Sequence, residues 1–210
     1  MAFLLPPLYP IMDASFLPSF ERGAYLMRVV CELEDAGVTL LQYRNKHSIE
    51  EIPHDAVIIR GGATSAVTLI MNDHPELAVN AGFDGVHVGQ GDVSPGSARE
   101  IVGPDRIVGI STHNLGQLKA ADLMPVDYIA FGPVFATTSK LNSDPVVGLD
   151  GVCEARSLTS KPLVAIGGIT LENARAVRKA GADSVAVISA MFGPDENPVK
   201  IAKDFLRIFR

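Results

Sequence analysis

"DYIAFGPVFATTSK", residues Asp127 to Lys140, changes character half-way along. Its start is an apolar run, the composition of a strand buried on both faces of a parallel sheet. Gly132, Pro133, Thr137, Thr138, Ser139 and Lys140 then supply hydroxyls, backbone N–H groups and an ammonium. Donors gathered where a strand stops make a cradle for an anion.

The same pattern recurs on either side. The other strand candidates are "LYPIMD", "VTLLQYR", "VTLIMND", "GVHVGQ", "RIVGIS", "PLVAIGG" and "SVAVIS", which makes eight with the first. Most are near-continuously apolar, and amphipathic segments lie between most of them. "FERGAYLMRVVCELEDAG" has helical spacing and stops at Gly37. "SPGSAREIVG" opens with Ser94 as N-cap and Pro95 in the first turn. "TLENARAVRKAG" starts at Thr170, has Asn173 at N3 and stops at Gly181. Eight strand–helix units in 210 residues predict an α/β fold, a single-domain (β/α)8 TIM barrel over residues 1–210. The alternative is an open doubly wound sheet, but no G-x-G-x-x-G follows the first strand. The connection from Lys46 to Val67 is irregular. It holds either a short helix after Pro53, ending near Gly61, or an extended "AVIIR". No internal repeat is visible.

Composition narrows the partners. With 47% hydrophobic and 20% charged residues, the chain has the balance of a globular protein. The net charge of −6 argues against nucleic acid, so an anionic ligand must be held by local positive groups. No run approaches the roughly 18 apolar residues of a membrane span. The apolar N-terminus has no basic start and is broken by Pro6, Pro7 and Pro10, unlike a signal peptide. Cys31 and Cys153 have no metal-ligand spacing and read as reduced thiols. The expected location is cytoplasmic, the expected partners are small molecules, and a homodimer is left open.

A barrel places its active site where the strands end. Polar residues collect there: Gln42, Arg44 and Lys46, Asn72 and Asp73, Gln90 and Asp92, Ser111, Thr112 and His113, Thr137 to Lys140, Gly167 and Gly168, and Ser189. In "QYRNK", Gln42, Arg44 and Lys46 alternate with Tyr43 and Asn45 and project to one side. A guanidinium beside an ammonium suits a diphosphate, although a solvated strand end has the same composition. Asp73 and Asp92, on adjacent strand ends, have the chemistry of a Mg²⁺ site. Asp73 reads equally as a helix N-cap. "IGGI" and "VISA" offer backbone N–H groups to a phosphate, or need glycine for tight packing. His113 is either an acid–base group or a cap, and His87 reads as a packed barrel residue. His47, His54 and His74 share no metal spacing.

In combination, "QYRNK", "MND", "GVHVGQGD", "GISTHN", "DYIAFGPVFATTSK", "VAIGGI" and "VAVISA" resemble the thiamine-phosphate synthase family in order and spacing, over about residues 8 to 192. The resemblance implies a TIM-barrel transferase that joins an aminopyrimidine diphosphate to a thiazole phosphate with Mg²⁺ and releases pyrophosphate. It implies that Gln42, Tyr43, Arg44, Asn45, Lys46, Asn72, Ser111 and Lys140 hold the pyrimidine diphosphate. Of these, Arg44, Lys46, Ser111 and Lys140 would act in catalysis. Asp73 and Asp92 would hold Mg²⁺, and Thr137, Thr138, Ser139, Gly168, Ile188 and Ser189 the thiazole phosphate. The chain departs from the family pattern at Ser139, where threonine is usual, and at His74, where arginine is frequent. Its segment from Lys46 to Asn72 is also shorter. The rivals are a thiazole tautomerase-like relative using His113, another phosphosugar barrel, and a non-catalytic phosphate binder.

Overall fold

Strands built from successive Val, Ile and Leu have two apolar faces, and a closed barrel covers both: one with its own interior, the other with helices. The computed structural model describes residues 4–137 and 144–210. Thr138, Ser139 and Lys140 of the expected anion cradle lie outside them. Eight parallel strands close in sequence order: β1 (Leu8–Asp13), β2 (Leu40–Arg44), β3 (Thr68–Asn72), β4 (Gly85–Val88), β5 (Ile107–Thr112), β6 (Tyr128–Phe131), β7 (Leu163–Ala165) and β8 (Ser184–Val187). Closure is made by β8 on β1, where Leu8 stands opposite Val185 and Pro10 opposite Val187. That pairing removes the open doubly wound sheet.

Period-2 alternation sorts each strand. Tyr9, Leu40, Ile70, Tyr128, Ala130, Val164 and Ala186 pack together inside the barrel. Leu8, Leu41, Tyr43, Leu69, Met71, Val86 and Val108 face out, onto the helical layer. Helix α1 (Arg22–Asp35) directs Leu26, Val29, Val30 and Leu33 at that layer. The irregular connection resolves as α2 (Ile52–Gly62), a helix with Pro53 in its first turn, so "AVIIR" is not extended. Helix α3 is Pro75–Asn80, and α4 is Pro95–Val102 with Ser94 Oγ accepting from Ser97 N at 3.1 Å, the expected cap. Helices α5 (Leu115–Asp122) and α6 (Gly148–Leu158) follow, then α7 (Ala174–Lys179). The last has its N-cap position at Asn173, three residues later than Thr170, and Asn173 Oδ1 holds the preceding loop by accepting Thr170 N. Helices α8 (Ser189–Phe192) and α9 (Pro198–Ile208) complete the chain. Among the described residues, no helix is long and apolar enough to cross a membrane.

A repeat absent from the sequence reading appears at the N-terminal face. Asp84, Asp127 and Asp183 stand just before β4, β6 and β8. Each accepts the first or second backbone N–H of the preceding strand: Leu69 at 2.8 Å, Val108 at 2.7 Å and Leu163 at 2.8 Å. Each is also paired with an arginine of the helix before that strand, Arg60, Arg99 or Arg156. The unit spans two strands and one helix, and the residues between its members vary, which hides the period.

Candidate active site

The C-terminal strand ends surround a cavity of about 440 Å³. Gln42, Arg44, Asn72, Ser111, Thr137, Gly168, Ile188 and Ser189, all expected at the site, line it. Asn72 is buried, and its Nδ2 has no hydrogen-bond partner among the described residues. A buried orphan donor costs free energy unless a ligand acceptor completes it.

Arg44 does not reach the cavity unsupported. Its guanidinium pairs with the carboxylate of Asp13, its register partner at the end of β1. Asp13 is 2% exposed, and its other oxygen accepts Ser15 N at 2.9 Å and Ser15 Oγ at 2.6 Å. The sequence reading passed over this acid. The signal was a charged residue closing an apolar strand, as Arg44 does on β2.

Lys46, Asp73 and Asp92 form a cluster beside the cavity. The Lys46 ammonium contacts the Asp73 carboxylate and lies 3.5 Å from Asp92 Oδ1. Asp73 does not cap α3, whose N-cap position is His74 with no side-chain bond. Its backbone is left-handed, φ 66°, which turns the carboxylate toward Asp92. Burial, then the hydrogen bond with Asp92, raises the Asp73 carboxyl above its ordinary pKa. Burial also pulls Asp92 upward, but the hydrogen bond with Asp73, the Gly89 N–H at 2.8 Å and Lys46 outweigh it and leave Asp92 low. The pair's two carboxyls are thus pushed in opposite directions, as those of close carboxylates are. A Cβ on Gly89 would lie 2.8 Å from Asp92 Oδ2, so glycine is what lets that carboxylate fold back.

Across the barrel, the loops after β6 and β7 are zipped together by Val134 N to Ile166 O, 2.8 Å, and Phe135 N to Gly167 O, 3.1 Å. Gly168, φ 65°, passes so close that a Cβ would sit 2.5 Å from Ala136 O. The packing reading of "IGGI" is therefore correct in itself, and the same close approach bares the loop to the cavity. Asn173 Nδ2 donates to Gly168 O at 3.0 Å, a support the sequence reading had counted only as a helix start.

A model of the family described as thiamine monophosphate synthase matches residues 8–191. The chain belongs to that family. It is 54% identical over 205 residues to the thiamine-phosphate synthase of Koribacter versatilis, covering 97% of this chain and 96% of that one. The thiamine-phosphate synthase of Hydrogenobaculum sp. is 38% identical over 97% of this chain and 93% of its own. Among solved structures, the thiamine phosphate pyrophosphorylase of Pyrococcus furiosus superposes with a TM-score of 0.83 at 30% identity, covering 96% and 94% of the two chains.

In this member of the thiamine monophosphate synthase family, two residues expected at the pyrimidine diphosphate have side chains engaged elsewhere in the fold. Tyr43 faces away from the cavity, with its hydroxyl bonded to Asp55 of α2, which also holds Arg22. Asn45 is buried as a turn former: its Oδ1 accepts His47 N at 2.9 Å and Ser48 N at 3.0 Å. Both follow from the alternation that turns Gln42 and Arg44 inward. His113 lines the cavity and its Nδ1 donates to Gly132 O at 2.7 Å, while Asn114 Oδ1 caps α5, so the capping role falls to the neighbour. His87 is buried and hydrogen-bonded inside the barrel, as the alternation implied.

Proposed function

We propose that this cavity and its flanking acid pair carry out thiamine-phosphate synthesis, joining an aminopyrimidine diphosphate to a thiazole phosphate and releasing pyrophosphate. Family membership makes the chain a transferase of thiamine biosynthesis. The observation that carries the finer reading is the division of the rim. Arg44, Lys46, Asp73 and Asp92 come from the ends of β2, β3 and β4, whereas Gly168, Ile188 and Ser189 come from the ends of β7 and β8, across the barrel. Two anions on opposite sides leave room for two rings between them.

The substitution is dissociative in this reading. The bond from the pyrimidine methylene carbon to the diphosphate breaks, the electron-rich ring spreads the positive charge, and the thiazole nitrogen adds. No strong base or nucleophile is required of the protein. Arg44 and Lys46, with Lys140, neutralise the leaving group. Gln42, Asn72 and Ser111 orient the pyrimidine, and the cavity walls exclude water from the cation. Thr137, Thr138, Ser139 and the backbone at Gly168 and Ser189 take the thiazole phosphate.

The residues fit Mg²⁺. Two carboxylates around one ammonium form a hard oxygen donor set, and no group of three or more acid, histidine or cysteine ligands exists among the described residues. Mg²⁺ characteristically takes one or two carboxylates and completes its shell with water and substrate phosphate. Asp73 and Asp92 would hold it, and it would supply further positive charge at the diphosphate.

The test is pyrophosphate release from both substrates and Mg²⁺, with and without chelator. Release that needs all three supports the reading. Proton exchange on the thiazole without pyrophosphate release, lost in His113→Ala, would replace it with the tautomerase.

A further inference from the structure

β2 ends at Arg44, so Lys46 lies past the sheet on an exposed turn. A flexible four-carbon stem there loses much rotamer entropy before its charge is placed. Its ammonium nevertheless contacts the Asp73 carboxylate and stands 3.5 Å from Asp92 Oδ1, which requires a fixed turn beneath it. We infer that Tyr43, on the outer face of β2, is a positioning residue: its hydroxyl anchors Asn45, and Asn45 sets the turn that presents Lys46 to the acid pair.

Asn45 works in two directions. Its Oδ1 accepts the backbone N–H groups of His47 at 2.9 Å and Ser48 at 3.0 Å, the two residues that follow Lys46. Two donors on Oδ1 fix the orientation of the amide. Its Nδ2 then points back, 3.4 Å from Tyr43 Oη and 3.4 Å from Glu51 Oε2. Tyr43 and Asn45 are buried, whereas the Glu51 side chain is half-exposed. Water competes for the Glu51 carboxylate and weakens its hold, so the Tyr43 hydroxyl is the firmer anchor.

The hydroxyl is itself held. It donates to Asp55 Oδ2 and accepts from Arg22 Nη2 at 3.4 Å. Asp55 is 1% exposed and takes the Arg22 guanidinium through both Nε, at 2.9 Å, and Nη2. A buried carboxylate facing an arginine fork is a stiff support. Arg22 opens α1 and Asp55 lies in the first turn of α2, so the pair ties the starts of both helices to the end of β2. The Tyr43 ring packs in the apolar layer outside the barrel, where phenylalanine would fill the same space. The hydroxyl therefore contributes the polar anchor and not the packing. The benefit of a fixed Lys46 at a leaving diphosphate rests on the function proposed above.

The experiment begins without substrate. Backbone ¹⁵N relaxation should give Lys46, His47 and Ser48 the order parameters of a rigid chain, about 0.85, in the parent protein. In Tyr43→Phe they should fall toward about 0.6 while Leu41, in the middle of β2, stays rigid. A turn already mobile in the parent, or unchanged in the variant, would overturn the inference. Tyr43→Phe should also lower kcat/KM for the pyrimidine diphosphate about fivefold, the scale of one hydrogen bond, and leave KM for the thiazole phosphate unchanged. In a Lys46→Ala background, Tyr43→Phe should add no further loss. A loss that persists in full there would make Tyr43 merely structural and overturn the inference. A protein whose turn loosens as expected but that turns over neither substrate keeps the positioning role and overturns only the substrate assignment.

Discussion

Asp73 carries the sharpest tension between stability and function. Its raised carboxyl favours the protonated form in the folded, metal-free protein. That contribution is full below the ordinary carboxylate pKa and is lost as pH rises through the raised one. The lowered Asp92 contributes in the opposite sense, present above the ordinary value and lost as pH falls through its own. Asp73→Asn removes the charge that is costly at neutral pH. With chelator at pH 7 it should melt at least as high as the parent, and the gain should shrink as pH falls and the parent protonates. With Mg²⁺ present the parent should gain stability and Asp73→Asn should not, with turnover down about 100-fold as for loss of one electrostatic contact. A melting series with and without chelator, paired with pyrophosphate release, checks both halves. Asp13 makes a second residue-scale case. Asp13→Asn leaves Arg44 partly buried without its counter-charge, and removing one partner of such a pair costs about 3 kcal/mol. Urea unfolding should show that loss, and kcat/KM should fall about tenfold or more because the guanidinium is no longer held.

At the scale of elements, the Asp–Arg units of the N-terminal face should behave as staples remote from the chemistry. Arg156 illustrates one: it pairs with Asp183 at 2.7 Å and donates to Lys161 O at 3.0 Å. Arg156→Met should cost about 1–3 kcal/mol through the acceptors it leaves, with kcat unchanged. The same replacement at Arg60 or Arg99 should add to it nearly independently, since the units share no partner. Denaturant midpoints for single and double variants would settle this, and a coupling above about 0.5 kcal/mol would contradict separate staples. The loop after β7 answers differently. Gly168→Ala places a Cβ 2.5 Å from Ala136 O at a φ of 65°, so the zipped loops must part. Its KM for the thiazole phosphate should rise more than its stability falls, because the loop is at the rim and the core is untouched.

The whole molecule is a ring of strands that each contribute little to the rim alone. A ligand that touches several strand ends should therefore report on closure. Inorganic pyrophosphate with Mg²⁺ should raise the melting temperature by more than the sum of the two alone. At a concentration of one hundred times Kd the gain is about 2.7 kcal/mol. The shift should vanish in Asp92→Ala, whose fold stays intact. The same ring explains what was legible in advance. Gln42 and Arg44 could be placed inward because alternation is local, and that alternation also turns the Tyr43 side chain outward. Asp13 could not be seen, because its importance lies in facing Arg44 across a strand pair 31 residues apart in sequence. Tyr9 and Tyr128 meet over a separation of 119 residues. Gly109 reads as an ordinary strand glycine until the Tyr128 ring is found beside it.

The sequence by itself determined the eight strand–helix units, the polar strand ends and the family. Each of these is a local pattern of hydrophobicity or a short motif whose physics needs no distant partner. Only the tertiary structure decided that Asp73 leaves its helix to join Asp92 and Lys46, that Asp13 holds Arg44, and that Tyr9 meets Tyr128 inside the barrel. Closure of the barrel sets which side chains meet across its interior, and that choice depends on strand register and tilt around the whole ring.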